Sequence, residues 1–190
     1  MTKEELRKIY IEKRRRLSDS EYEKLSSQLC DYFFKHIDLS TVKVLHIFIP
    51  IEKNKEPNTW FIIDRIQKEF SEINLAVPRV NNPTGYLENF IFSGKNQLQE
   101  NKWSILEPQY GKVIQSVEID MVLIPLLVFD EQGHRIGYGK GIYDKFLASC
   151  RSDCKKIGVS FFPPQEQKFE VQSHDISLDY CLTPIRIYRF

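Results

Sequence analysis

No segment of the chain is apolar for the roughly 20 residues that a bilayer-spanning helix needs. The longest clean apolar run, Met121 to Phe129, covers nine residues and contains Pro125, so no transmembrane helix is expected. The opening residues, Met1-Thr2-Lys3-Glu4-Glu5, lack the apolar stretch of a secretory signal, and a cytoplasmic location is expected. Cysteine is scarce. Cys30, Cys150, Cys154 and Cys181 form no CxxC pair and read as small buried hydrophobes rather than disulfide partners or zinc ligands. His36, His46, His134 and His174 contain no HExxH and no close pair, so no transition-metal site is expected. Charge of one sign is also lacking: 27 Lys and Arg stand against 26 Asp and Glu, a net of +1 that makes no whole-chain claim on nucleic acid. No repeat, low-complexity tract or linker separates two compact halves. With 42% apolar and 28% charged residues, the 190 residues are read as one globular domain, 1–190.

What is present alternates between helix and strand. Residues 3 to 16 hold seven bases and three acids, a net of +4, with Leu6, Ile9, Tyr10 and Leu17 at helical spacing. Lys3, Arg7 and Arg14 are about one and two turns apart and share a face that could hold a polyphosphate, or could be a solvated exterior. Ser18-Asp19-Ser20-Glu21 reads as a capping box, followed by a helix carrying Tyr22, Leu25, Leu29 and Phe33 and ending near His36. Val42 to Ile49 predicts a buried strand stopping at Pro50. Thr59 predicts the cap of a third helix with Trp60, Ile63, Ile66 and Phe70 on one stripe. Leu75 to Val77 predicts a short strand ended by Pro78, Asn82 to Gly85 a turn, and Tyr86 to Phe92 an alternating strand. Met121 to Phe129 predicts a continuous strand buried on both faces, as in the middle of a parallel sheet. A turn at 130–133, a helix over 142–148, a strand over 157–162 and short strands at 181–182 and 185–188 complete the expected elements. The economical architecture is α/β: an α/β/α layering around a largely parallel central sheet.

Four of the eight glycines, Gly133, Gly137, Gly139 and Gly141, fall within nine residues directly after the most apolar strand. Such clustering lets backbone turn tightly and present bare N–H groups, which is how loops at the carboxyl end of a sheet cradle phosphate. Arg135 and Lys140 supply cations for the same anion; Tyr138, Tyr143 and Asp144 complete the run. The spacing Gly137-Tyr138-Gly139-Lys140-Gly141 is not a dinucleotide fingerprint, and Lys140 is followed by Gly141 rather than the Ser or Thr of a Walker loop. NAD is therefore disfavoured and a Walker NTPase excluded. A tight turn without ligand is the alternative reading. Asp144 could hold a hard cation beside phosphates, with Asp175 a second candidate if neighbouring strands bring its loop close; as a sequence feature alone an aspartate in such a loop is more often a turn residue.

Phe129-Asp130 followed by Gly133-His134-Arg135-Ile136-Gly137-Tyr138-Gly139-Lys140-Gly141-Ile142-Tyr143-Asp144 resembles the signature of the 5-formyltetrahydrofolate cyclo-ligase (5,10-methenyltetrahydrofolate synthetase) family. Lys3 and Arg7, Glu56 to Thr59, Val77 to Val80, Ile105 to Pro108 and His174-Asp175 follow the family's order, so the resemblance spans nearly the whole chain. It implies an ATP- and Mg²⁺-dependent ligase that closes 5-formyltetrahydrofolate, with or without a polyglutamate tail, to 5,10-methenyltetrahydrofolate, releasing ADP and phosphate. By position it implies ATP contacts at Lys3, Arg7, Arg135, Ile136, Gly137, Tyr138, Gly139, Lys140, Gly141, Ile142 and Tyr143. It implies folate contacts at Ile49, Glu56 and Trp103 and again at Tyr138, Gly139, Lys140, Gly141 and Ile142. Arg135, Lys140 and Tyr143 are implied as catalytic, and Asp144 and Asp175 as magnesium ligands. The family's Tyr-Tyr-Asp is here Ile142-Tyr143-Asp144, and the loop 52–55 is longer and more charged than the common pattern. A monomer that binds neither nucleic acid nor membrane is expected. Two rivals remain: a nucleotide- or folate-binding module without turnover, and an RNA-binding face on the basic first helix, which would depend on Arg14, Arg15 and Arg16.

Overall fold

The structure, a computed structural model, describes residues 1–81 and 83–190. Thr2 and Ser18 each start a helix with a reciprocal capping box, Thr2 with Glu5 and Ser18 with Glu21. These helices are α1 (Lys3–Arg15) and α2 (Asp19–His36). The chain continues through β1 (Val44–His46), α3 (Trp60–Glu69), β2 (Asn74–Asn81) and β3 (Tyr86–Ile91). A small hairpin follows, β4 (Leu98–Glu100) with β5 (Leu106–Pro108), then β6 (Val113–Ile114) and β7 (Met121–Pro125). A second hairpin, β8 (Val128–Phe129) with β9 (Arg135–Ile136), leads to α4 (Ile142–Ala148), β10 (Lys155–Val159), β11 (Tyr180–Leu182) and β12 (Ile187–Arg189).

Eight strands form one sheet in the order β12-β11-β10-β7-β1-β2-β3-β6. The five from β11 to β2 run parallel; β12 and β3 run antiparallel to them at the two sides, and β6 pairs antiparallel with β3. Alternation sorts the strand side chains into two layers. Leu45, Leu75, Val77, Met121, Leu123 and Ile157 face α2 and α3, whereas Val44, Ala76, Val122 and Ile124 face Phe146 and Leu147 of α4. The expected α/β/α layering is what the structure shows. Helix α1 lies apart, with Leu6 and Tyr10 against Leu127, Val128 and Ile136 of the β8–β9 region. Among the described residues no helix is long and apolar enough to cross a membrane.

Several expectations are corrected. The apolar run 121–129 is not one strand: β7 ends at Pro125, and Val128–Phe129 turns to pair antiparallel with Arg135–Ile136. Strand β2 continues past Pro78 to Asn81, because the β1 ladder ends opposite Ala76 while β3 stays paired, with Pro78 opposite Asn89. β1 is confined to Val44–His46 although 47–49 remain buried, and β10 begins at Lys155 and ends at Val159. Thr59 does not cap α3; its hydroxyl donates to the Phe48 carbonyl (2.6 Å), and Asn58 Oδ1 instead accepts from the Trp60 N–H (3.2 Å). Ile9 is 38% exposed rather than part of the apolar stripe. Of the turn expected at 82–85, Asn82 lies outside the described residues and 83–85 form a turn. Cys30, Cys154 and Cys181 are buried, as expected, whereas Cys150 is half-buried; all four are free thiols.

Gly158, in β10, sits where the sheet face is closely covered. A Cβ added there would lie 2.6 Å from both Leu126 and Leu178 methyl carbons, beneath the β7–β10–β11 face. Gly158→Val is expected to lose about 2–3 kcal/mol of stability through overpacking, read as a lower urea midpoint; an unchanged midpoint would show that this face is looser than described.

Candidate functional site

The chain builds its sheet outward from β1 through β2 and β3, then returns to place β7 on the other side of β1. The carboxyl ends of β1 and β7 therefore diverge, a topological switch point of the kind where open α/β sheets bind ligands. A cavity of about 680 Å³ opens there, with Phe48 and Ile49 from one strand end and Pro125 from the other in its wall. The loop from Gly137 to Gly141 crosses its mouth. Gly139 has φ +91° and its α-carbon side faces the Arg7 guanidinium, to which an added Cβ would come within 3.1 Å, so only glycine suits that position.

One end of the cavity is ionic. Arg7 Nε donates to the Gly137 carbonyl (3.0 Å), fixing the loop to α1. Lys3 Nζ pairs with Asp175 Oδ2 (2.9 Å), which also accepts the Gln172 N–H (3.0 Å). Burial acts to raise the Asp175 carboxyl, but that N–H and the Lys3 ammonium outweigh it and hold the group below the ordinary value. Arg135 is anchored from two sides: Nη1 donates to the Ile176 carbonyl and Nη2 to Asp144 Oδ1 (2.7 Å), which also accepts the Ile176 N–H (3.1 Å). Burial lowers the Arg135 pKa, against the opposing pull of Asp144 and Asp175. Both carboxylates thus commit one oxygen to hydrogen bonds, Oδ1 of Asp144 and Oδ2 of Asp175; the other oxygen of Asp175 has only His174 Nε2 near it, at 3.9 Å. Among the described residues no cluster of three or more His, Cys, Asp or Glu side chains forms a self-sufficient metal cage. Two carboxylates alone would suit a magnesium ion, a cation for which the protein need not supply most of the ligands.

The other end is apolar, walled by Ile49, Ile51, Val80, Leu87, Ile105 and Leu106, with Trp103 42% exposed at the rim. Lys140 and Lys102 approach the Trp103 ring, at 5.6 and 4.4 Å from its centroid. Glu56, only 2% exposed, is a polar group set into this end. Its Oε2 accepts the Ile51 N–H (2.8 Å) and its Oε1 the Tyr138 hydroxyl (2.7 Å). Burial pushes the Glu56 carboxyl up; the Arg14 charge and these two donors pull the other way.

Every residue to which the resemblance gives a ligand contact lines this cavity: Lys3, Arg7, Ile49, Glu56, Trp103, the run 135–144 and Asp175. Two residues read from their chemistry do not: Gly133, which lies in the β8–β9 turn against the Phe190 ring rather than in the phosphate loop, and Arg14 of the proposed polyphosphate face. Its guanidinium is turned inward, 1% exposed, donating to the Leu126 carbonyl and to the Tyr138 hydroxyl (3.3 Å). The i, i+4, i+8 spacing of Leu6, Tyr10 and Arg14 puts all three on one buried face and is the sequence signal for it, although arginine ordinarily stays in water. Two polar groups were passed over. Glu107 lines the cavity and accepts from the Val80 N–H (3.1 Å) and Asn101 Nδ2 (2.9 Å). His46 is fully buried behind Tyr143, bonded to Asn89 and to the Tyr143 hydroxyl; an isolated histidine in an apolar strand gives no sequence signal.

Comparison with known proteins points one way. The profile of the 5-formyltetrahydrofolate cyclo-ligase family matches residues 1–184. The chain is similar to the 5-formyltetrahydrofolate cyclo-ligase of Mycoplasma genitalium, 29% identical over 181 residues that cover 95% of this chain and 96% of the relative. It is 26% identical to the mouse 5-formyltetrahydrofolate cyclo-ligase, over 88% of this chain and 86% of that one. Its fold matches the solution structure of Aquifex aeolicus 5,10-methenyltetrahydrofolate synthetase with a TM-score of 0.84 and 25% identity, covering all of this chain and 93% of that one.

Proposed function

The chain belongs to the 5-formyltetrahydrofolate cyclo-ligase family, and we propose that it is an ATP-dependent enzyme converting 5-formyltetrahydrofolate to 5,10-methenyltetrahydrofolate. One observation carries the reading. A single cavity joins a cationic, glycine-lined end suited to polyphosphate to an apolar end holding a buried carboxylate suited to the N–H groups of a pterin. The two ligands must meet where those ends join, at Tyr138 to Ile142.

A formamide oxygen is a poor leaving group, which is the chemical reason for ATP. The formyl oxygen attacks the γ-phosphorus, and the bond from phosphorus to the ADP oxygen breaks. N10 then adds to the activated formyl carbon and sheds its proton, and the carbon–oxygen bond breaks with its electron pair leaving on phosphate. The N10 proton is the one carried by the released hydrogenphosphate, so no water is consumed. Nothing here calls for a protein nucleophile; the chain positions two ligands and neutralises charge. Lys3, Arg7, Arg135 and Lys140 surround the phosphate end, and the loop N–H groups of 137–141 complete it. Asp144 and Asp175 would hold magnesium, which when bound neutralises charge on the β- and γ-phosphates. Trp103 and Ile49 flank the pterin and Glu56 accepts from it. On this reading residues 1–190 act as one cyclo-ligase-like domain.

The test is direct. Purified protein incubated with 5-formyltetrahydrofolate and Mg²⁺ is expected to develop the near-ultraviolet band of the methenyl product only when ATP is added, with one ADP per product. Tight binding of both ligands without that band would instead identify a binding module.

A further inference from the structure

His46 is a polar group in a layer that has no other use for one. It sits at the end of β1 among Val44, Ala76, Val122, Ile124 and Phe146, wholly buried, its ring 4.7 Å from that of Phe146. Such a group persists where its hydrogen bonds are made and matter. Both are made, and they have a direction. Nδ1 lies 2.8 Å from Asn89 Oδ1, which can only accept, so Nδ1 carries the hydrogen. Burial holds the imidazole neutral, its pKa lowered to about 4, so Nε2 bears a lone pair. Nε2 lies 3.2 Å from the Tyr143 hydroxyl and must accept from it. Asn89, itself buried, lies on β3, His46 on β1 and Tyr143 in the first turn of α4, so three elements converge to fix one hydrogen.

With its hydrogen committed to His46, Tyr143 has only lone pairs to offer the cavity it lines. It cannot donate to a phosphate oxygen. We propose that Tyr143 accepts a hydrogen bond from the N–H of the attacking secondary amine, N10 of the folate, and that His46 and Asn89 are positioning residues that keep it an acceptor. The inference rests on the cyclo-ligase reading and deepens it. Tyr143 adjoins Asp144 and the Arg135–Asp144 pair, the phosphate end of the cavity, where the activated formyl carbon has to lie. An amine whose N–H is held back by an acceptor turns its own lone pair toward that carbon, the near-attack arrangement ring closure needs.

His46→Leu removes the acceptor for the tyrosine hydrogen. It is expected to lower kcat/KM for 5-formyltetrahydrofolate about tenfold, the loss of one positioned neutral hydrogen bond, with KM for ATP within twofold. His46→Gln, whose amide can donate to Asn89 and accept from Tyr143, should recover most of that loss. Tyr143→Phe should lose as much as His46→Leu, and the double variant no more than either alone. Independently of whether the variants fold, ¹⁵N-histidine NMR of the wild-type protein at pH 7 should show His46 as the neutral Nδ1–H form. An Nε2–H form, an imidazolium, additive losses, or a folded His46→Leu protein with wild-type kcat/KM would each overturn the proposal. So would a loss that vanishes when ATP is replaced by inosine triphosphate, since the donor would then be the purine amino group. A wild-type protein inactive towards 5-formyltetrahydrofolate would instead overturn the cyclo-ligase reading itself.

Discussion

Arg135→Met is expected to lower kcat about a thousandfold while leaving the protein folded. The side chain is 6% exposed and pinned by the Ile176 carbonyl and Asp144, so its charge is delivered to the phosphate end without reorganisation. Preorganised charge of that kind commonly supplies two to five powers of ten in acyl and phosphoryl transfer, roughly 10²–10⁵. Removing it does two things at once. The phosphate loses a cation, and Asp144 loses the partner that offset its negative charge, so a carboxylate now faces the triphosphate. Arg135→Lys should recover little, because one ammonium cannot reproduce the planar fork that reaches both the Ile176 carbonyl and Asp144 Oδ1. The measurement is single-turnover formation of the methenyl product at saturating ATP, alongside circular dichroism to confirm the fold. A folded Arg135→Met protein within tenfold of wild type would show that the charge at this position does not act on the transferred group.

The site was legible where chemistry concentrates in sequence and illegible where it depends on packing. Four glycines in nine residues after an apolar strand can serve few purposes, and the run from Arg135 to Asp144 does line the cavity. The capping box at Ser18 was readable because its partners are three residues apart and need nothing from the rest of the fold. By contrast, the break of the apolar run 121–129 into β7 and β8 is decided by the hairpin that Arg135–Ile136 closes on Val128–Phe129, a pairing that composition cannot announce. Pro78 seemed to end β2 because a proline cannot donate; only the end of the β1 ladder opposite Ala76 shows why it need not. His46 and Arg14 were missed for one reason. Hydropathy assigns polar side chains to water, and both are inside the fold because tertiary partners meet them there.

Arg14 is the second place where a large effect is expected, this time on stability. Its guanidinium and the Glu56 carboxylate are both almost wholly buried and are joined through one hydroxyl: Arg14 Nη1 to Tyr138 Oη at 3.3 Å, Tyr138 Oη to Glu56 Oε1 at 2.7 Å. Removing one charge from such an arrangement leaves the other buried without compensation, which typically costs about 3–5 kcal/mol. Arg14→Met should therefore destabilise the protein by about 4 kcal/mol, seen as a large fall in the urea midpoint at unchanged slope. The pairing makes a sharper statement than the single variant. If the cost is the stranded carboxylate, then Glu56→Gln in the Arg14→Met background should restore part of the stability, giving a coupling of about 1 kcal/mol or more in the double-mutant cycle. Purely additive losses would show that Arg14 acts through packing and the Leu126 carbonyl alone. Glu56→Gln by itself strands the Arg14 guanidinium and should also lower the midpoint; in protein that stays folded it should raise KM for the folate at least tenfold, because the proposed acceptor of the pterin N–H groups has lost its charge. A buried arginine on the first helix thus supports the apolar end of the cavity, through the tyrosine of the glycine loop, although its position in the sequence groups it with Lys3 and Arg7.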